Sequence, residues 1–238
     1  MEKNQKGPII GFCHVYAINN WKSIVNEQFT KLKESGLYNR MDRIFVGLIG
    51  TDEDIKVFDI YDKADLIYCI NKPDLYEALT LSFLHGICKT FKGYVFYIHT
   101  KGVTRKYQCF TDWRRMMEHF IIERYELCIS ELWACDVVGV NWHLGEGYMN
   151  AHSSKAEGIK VTPHFSGNFW WATTKYIRTL PLLYPLESKY QCEFWIGKNK
   201  PLIAELWNSG IHHHRNRYSS DRYKDRQMIR YYKEDLPL

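Results

Sequence analysis

The chain has 238 residues, 45% apolar, 25% charged and 16% aromatic, with 17 Tyr, 8 Trp and a formal net charge of +5. This is ordinary globular usage, which excludes a disordered chain and a membrane-embedded one, and the charge falls far short of a dedicated nucleic-acid binder. Seven scattered cysteines without a C-x-x-C pair argue against a disulfide framework or a cysteine-based zinc site, and point to a reducing cytosol.

The N-terminal stretch MEKNQKGPIIGF lacks a cleavage-site pattern, and no run of 18 apolar residues follows, so a soluble protein is expected. PIIGFCHVYAI, 8 to 18, is a near-continuous apolar run after a proline, as in a strand buried on both faces of a parallel sheet. From 21 to 37, apolar residues at Trp21, Ile24, Val25, Phe29 and Leu32 keep a helical period that ends at Ser35-Gly36, where a glycine cap belongs. RIFVGLIG (43 to 50) and ADLIYCI (64 to 70) read as the second and third strands, and 73 to 91 as a helix with proline in its first turn. GYVFYIHTKG gives a fourth strand with a polar tip. This alternation predicts an α/β fold with ligands beyond the C-terminal ends of the strands.

Residues 111 to 135 read as one long helix and DVVGVNWH, 136 to 143, as the next buried strand. LGEGYMNAHSSKAEGIKVTP, 144 to 163, has no period and reads as a binding loop or lid. HFSGNFWWATTKYIRTL reads as a strand leading into a helix, and SKYQCEFWIG as a short helix. The tail, 215 to 238, holds seven Lys/Arg, four Asp/Glu and four Tyr, and reads as a solvated terminal helix or as a basic segment able to touch an anionic membrane surface. No nucleic-acid motif accompanies it.

Three polar tips carry candidate chemistry. In YIHTKGVTRK, backbone amides after Gly102 with Lys101, Arg105 and Lys106 could hold a diphosphate, or the segment is a solubilising turn. Asn141, Trp142 and His143 end the fifth strand, so that His99 and His143 could face one cleft; His212 to His214 form a metal-ligand set or a polar turn. The aromatic excess is either core packing or the lining of a site. Ser166, Gly167 and Asn168 beside Trp170 and Trp171 offer hydrogen bonds next to ring faces, the mixture that a sugar requires. Glu193, beside Trp195, is either a helix-surface acid or a carboxylate whose pKa rises near apolar rings toward that of a useful base.

The order Y-I-H-T-K-G, W-R-x-x-M-E-x-F, V-G-x-N-W-H, H-F-S-G-N-F-W-W-A and x-E-F-W-I-G, spanning roughly 8 to 214, resembles small nucleotide-sugar glycosyltransferases with the GT-A fold. These occur in bacterial surface-polysaccharide loci and large DNA viruses, and the rhamnan-synthesis transferases are similar more distantly. The resemblance implies a GT-A-like (Rossmann-like) single domain over 1 to 214, a mixed, mostly parallel sheet flanked by helices. Its half 8 to 110 would bind the nucleotide and its half 111 to 214 the acceptor. It also implies a cytoplasmic hexosyl- or deoxyhexosyltransferase of polysaccharide biosynthesis, with a nucleoside-diphosphate sugar as donor and a glycan or glycolipid hydroxyl as acceptor. The alternative is a non-catalytic sugar- or nucleotide-binding relative.

By position, Phe12, His14 and Tyr16 would neighbour the base and ribose, and His99, Thr100 and Lys101 stand where the family carries Asp-x-Asp for Mn²⁺ or Mg²⁺. A hard divalent ion prefers oxygen ligands and is repelled by a lysine. Either Lys101 and Arg105 neutralise the diphosphate without metal, or His99, Asp136 and the His212–His214 run hold one. Ser166 to Trp171 would form the acceptor strand, and Glu193 would match the base of the inverting enzymes.

Overall fold

The computed structural model describes residues 7–105, 107–145, 162–183, 186, 188–211, 213–226, 228–233 and 236–237. Strands β1 (Ile9–Tyr16), β2 (Arg43–Ile49), β3 (Ala64–Ile70) and β4 (Tyr94–His99) fall where apolar runs predict them. Between them lie helices α1 (Trp21–Glu34), α2 (Leu37–Arg40), α3 (Asp52–Ile55) and α4 (Ala78–Ile87). Helix α1 buries the predicted Trp21, Ile24, Val25, Phe29 and Leu32 stripe, and Gly36 follows it at φ 84°. In the 73 to 91 segment, Pro73–Leu75 forms a separate 3₁₀ turn before α4.

The single long helix expected over 111 to 135 is instead three pieces: α5 (Gln108–Glu118), a π turn (His119–Glu123) and α6 (Tyr125–Glu131). The Arg124 N–H bonds the His119 carbonyl, an i to i+5 step that apolar periodicity alone does not reveal. The expected strand over 136 to 143 also divides, into β5 (Val137–Gly139) and β6 (Trp142–His143), because Asn141 adopts φ 54°. After β6 the described residues resume at Thr162, and β7 (His164–Phe165) is followed by β8 (Trp170–Thr173), α7 (Thr174–Ile177), α8 (Tyr190–Phe194) and β9 (Ile203–Glu205). Most of the expected 144 to 163 loop lies outside them. In the tail, the described residues contain a 3₁₀ turn at Ser220–Arg222 and strands β10 (Arg230–Lys233) and β11 (Leu236–Pro237) in place of a helix.

Among the described residues one sheet of nine strands runs β11-β10-β9-β5-β8-β4-β1-β2-β3, and β6 pairs with β7 beside it. Strand β8 is antiparallel to both neighbours and β10 to β9, so the other seven of the nine share one direction. The fold is thus α/β with a mixed, mostly parallel sheet flanked by helices. Alternate side chains of each strand feed two cores. Cys13, Phe96, Trp171 and Val138 pack with α1, α5 and the π turn, and Phe12, Tyr97, Trp170 and Val137 pack with α4, α7 and Trp195.

Candidate active site

Strands β1 and β4 pair in register at His14 and His99, so both imidazoles stand at the C-terminal end of the sheet. There a cleft of about 510 Å³ opens. Its strand side carries His14, Tyr16, His99, Thr100 and Lys101 through Arg105. Tyr76 and Glu77 enter from the start of α4, Lys189, Tyr190 and Glu193 from α8, and Phe110, Trp113 and His214 close the far side.

The His14 ring is buried, with Nδ1 3.0 Å from Thr80 Oγ1; burial pulls its pKa down to about 4, so it is neutral at pH 7. Thr100 is buried and its hydroxyl accepts the Tyr16 N–H at 3.0 Å, which closes the turn between the strand ends. The Lys101 ammonium lies 4.1 Å above the Trp113 ring, and Arg105 packs on Phe110 with Nη1 3.5 Å from His214 Nδ1. These cations face the cleft, while Lys106 lies outside the described residues.

Gly167 joins the two functional ends. Its N–H donates to Glu193 Oε1 at 2.8 Å and its carbonyl accepts from His99 Nε2 at 2.9 Å. This requires φ 96° at Gly167, and a Cβ there would lie 2.5 Å from Met117 Sδ. Burial would raise the Glu193 pKa, but Lys101, His164, the Gly167 N–H and His99 together hold it down at about 2. The expected rise beside apolar rings is therefore corrected: Glu193 is a fixed carboxylate.

Glu77, not singled out from the sequence, is the second carboxylate. Its Oε2 accepts the Tyr97 hydroxyl at 2.7 Å and the Asn168 amide at 2.6 Å. Burial pushes its pKa up, and His99, His14, Tyr97 and Lys101 outweigh that and bring it below the ordinary value. The neighbouring Tyr76 has φ 45°, a costly conformation for a bulky side chain, and sets its exposed ring at the cleft mouth.

Several expected ligand contacts are core instead. Trp170 and Trp171 are fully buried, donating to Asn168 Oδ1 and the Ile121 carbonyl, and Trp195 is buried with its N–H on the Pro181 carbonyl. Phe12 is fully buried against Phe45, so it touches no base or ribose. Asn141 spends its Oδ1 on the Ser209 N–H, and Trp142 packs on Phe165. Asn168 braces Glu77. Ser166 and His143 are half-buried and outside the cleft lining, although Glu193 acts on the His143 ring electrostatically.

The expected metal set does not assemble. Asp136 precedes β5, where its carbonyl bonds the Thr173 N–H and its Oδ2 the Leu202 N–H. Thr173 pairs with Tyr94, at the end of β4 opposite His99, so about 17 Å of strand separates Asp136 from His99. His212 lies outside the described residues, while His214 packs on Phe110 and Trp113. No group of three or more His, Cys, Asp or Glu suited to a metal occurs among the described residues. The two cleft carboxylates, one braced by Tyr97 and Asn168 and the other facing Lys101, do not fit a hard divalent ion. Nor is any helix among the described residues long and apolar enough to cross a membrane.

The family described as a domain of unknown function, DUF8361, matches residues 12–227. The chain belongs to this family. The match includes both walls of the cleft and extends past the His212–His214 run. No curated protein matches the chain significantly. Among solved structures, HddC from Yersinia pseudotuberculosis is similar at 13% identity and TM-score 0.47, covering 84% of this chain and 90% of that one. A 4-diphosphocytidyl-2C-methyl-D-erythritolsynthase from Anaerococcus prevotii DSM 20548 is similar at 13% identity and TM-score 0.42, covering 91% and 95%. Both scores are too low for a site residue to be carried across from either structure.

Proposed function

We propose that this DUF8361 chain is a glycosyltransferase that moves a sugar from a nucleoside-diphosphate sugar to a hydroxyl of a glycan or glycolipid, with inversion. The observation that carries the reading is one cleft at the strand ends lined by the cations Lys101 and Arg105 and by the ionised carboxylate Glu193. Cations there suit a diphosphate leaving group, which the residues present can neutralise without a resident metal.

In the reaction, the acceptor oxygen bonds to the anomeric carbon as its proton passes to Glu193. The bond from that carbon to the phosphate oxygen breaks, and its electron pair leaves on the nucleoside diphosphate, beside Lys101 and Arg105. A carboxylate held at about 2 is a weak base. Diphosphate bound at Lys101 would offset the charge that most favours the ionised form, raising the Glu193 pKa when a donor is present. The same low value favours a second reading, a nucleotide- or sugar-binding protein without turnover.

Donor hydrolysis and transfer with UDP-, GDP- and dTDP-sugars, followed by release of the nucleoside diphosphate, separate the two. For the enzyme, Glu193→Gln abolishes turnover and leaves donor affinity within a few-fold. Binding without turnover by the unaltered chain would establish the second reading, and unchanged turnover by the variant would remove Glu193 from the mechanism.

A further inference from the structure

The cleft holds two hydrogen-bond acceptors that face each other with no donor between them among the described residues. Glu77 commits Oε2 to Tyr97 and Asn168, while its Oε1 stands 4.0 Å from His99 Nδ1. The Gly167 carbonyl, 2.9 Å from His99 Nε2, has only lone pairs to offer, so Nε2 carries the ring proton. Burial outweighs Glu77 in opposing a second proton on this imidazole, which leaves Nδ1 as a bare lone pair. Both residues line the cleft.

Two acceptors at that separation repel unless donors stand between them, supplied by water and by a ligand that displaces it. An ammonium group would satisfy them, but Lys101 already lowers the Glu77 pKa as a neighbouring positive charge and would repel another cation. Neutral O–H donors carry no such cost. The exposed ring of Tyr76 at the mouth adds a face for the C–H side of a sugar.

We infer that Glu77 and His99 together bind a vicinal pair of hydroxyls on a sugar ring, one hydroxyl donating to Glu77 Oε1 and the other to His99 Nδ1. The inference rests on the cleft being a nucleotide-sugar site, where such a diol belongs to the ribose or to the transferred sugar.

Calorimetry on the full chain tests it with matched ligands: UDP and GDP against their 2′-deoxy forms, and UDP-glucose against UDP-2-deoxyglucose. A hydrogen bond to a charged acceptor is worth about 1.5–3 kcal/mol, so removing one hydroxyl should weaken binding roughly tenfold to a hundredfold. A gap in the first comparison assigns the ribose, and a gap in the second the transferred sugar. Glu77→Gln can keep both protein hydrogen bonds through its amide oxygen while turning the free acceptor into a donor, so the gap should shrink to about threefold or less. His99→Gln tests the second acceptor, and thermal melting shows whether each variant is folded.

Equal affinity of the unaltered chain for hydroxyl and deoxy ligands overturns the inference even if nucleotides bind, and does so without any variant. If no nucleotide binds, the reading of the cleft fails instead, and saturation-transfer NMR with methyl glucoside and methyl 2-deoxyglucoside decides the diol pair. Signal for the glucoside that is lost in its 2-deoxy form keeps the pair; equal signal, or none, ends it.

Discussion

Replacing Glu193 by Gln should make the stability of the protein less dependent on acid, by an amount the structure sets. The carboxyl shifts from an ordinary 4.5 to about 2 because Lys101, His164 and the Gly167 N–H outweigh burial. At 1.36 kcal/mol per pH unit that is about 3 kcal/mol favouring the folded state, and solvent at the open side of the carboxylate reduces it to about 2–3 kcal/mol. The folded pKa is depressed, so this contribution is complete above about pH 4.5 and is lost as pH falls toward 2. Glutamine accepts the Gly167 hydrogen bond but does not titrate. Urea unfolding followed by tryptophan fluorescence at pH 7 and pH 3 measures both proteins. The advantage of the unaltered chain over Glu193→Gln should fall by about half or more between the two pH values. A difference that stays constant, or a variant more stable than the parent at pH 7, would refute the claim that Lys101 and Gly167 hold this carboxylate ionised.

Gly167→Ala places a Cβ 2.5 Å from Met117 Sδ and 3.0 Å from Trp113 at φ 96°, so a loss of about 2–4 kcal/mol is expected by urea unfolding. Tyr232→Phe takes a 2.8 Å hydrogen bond from the fully buried Glu205 and should cost about 1–3 kcal/mol, read as a lower melting temperature; no change would mean that Glu205 holds β10 in no energetic sense.

Strands β1, β2 and β4 were legible because burial on both faces leaves continuous apolar runs with glycine or proline beside them, while β3, half-buried along its length at the sheet edge, was legible from its apolar run alone. Strand β8 was legible as a strand, but its place between β4 and β5 was not, since order in a sheet is a tertiary property. This cost the tryptophans their expected role. In isolation Trp170 and Trp171 resemble a sugar platform, yet a central strand sends them to opposite cores. The break at Asn141 and the π turn depend on single backbone angles that side-chain periodicity does not encode. Of the candidate residues, the His99 to Arg105 tip and Glu193 line the cleft. Glu77 was missed because a lone acid before a helix carries no local signal, and its importance comes from Tyr97, Asn168 and His99, 20, 91 and 22 positions away. The low Glu193 pKa was missed for a similar reason, since its main cationic neighbour is Lys101.

Strand β8 also governs when this protein can fold. Trp171 pairs with Phe96 on one side and Val138 on the other, and Trp170 with Tyr97 and Gly139, so one strand closes contacts 73 to 75 residues apart on one side and 31 to 33 apart on the other. Until residue 173 has been synthesised, β4 keeps one unpaired edge and β5, whose other neighbour β9 comes still later, keeps two, so a chain interrupted before that point exposes both strands. Such non-local closure predicts slow folding in which both halves become ordered in one step. The paired indoles, buried only by that step, would report it in their fluorescence.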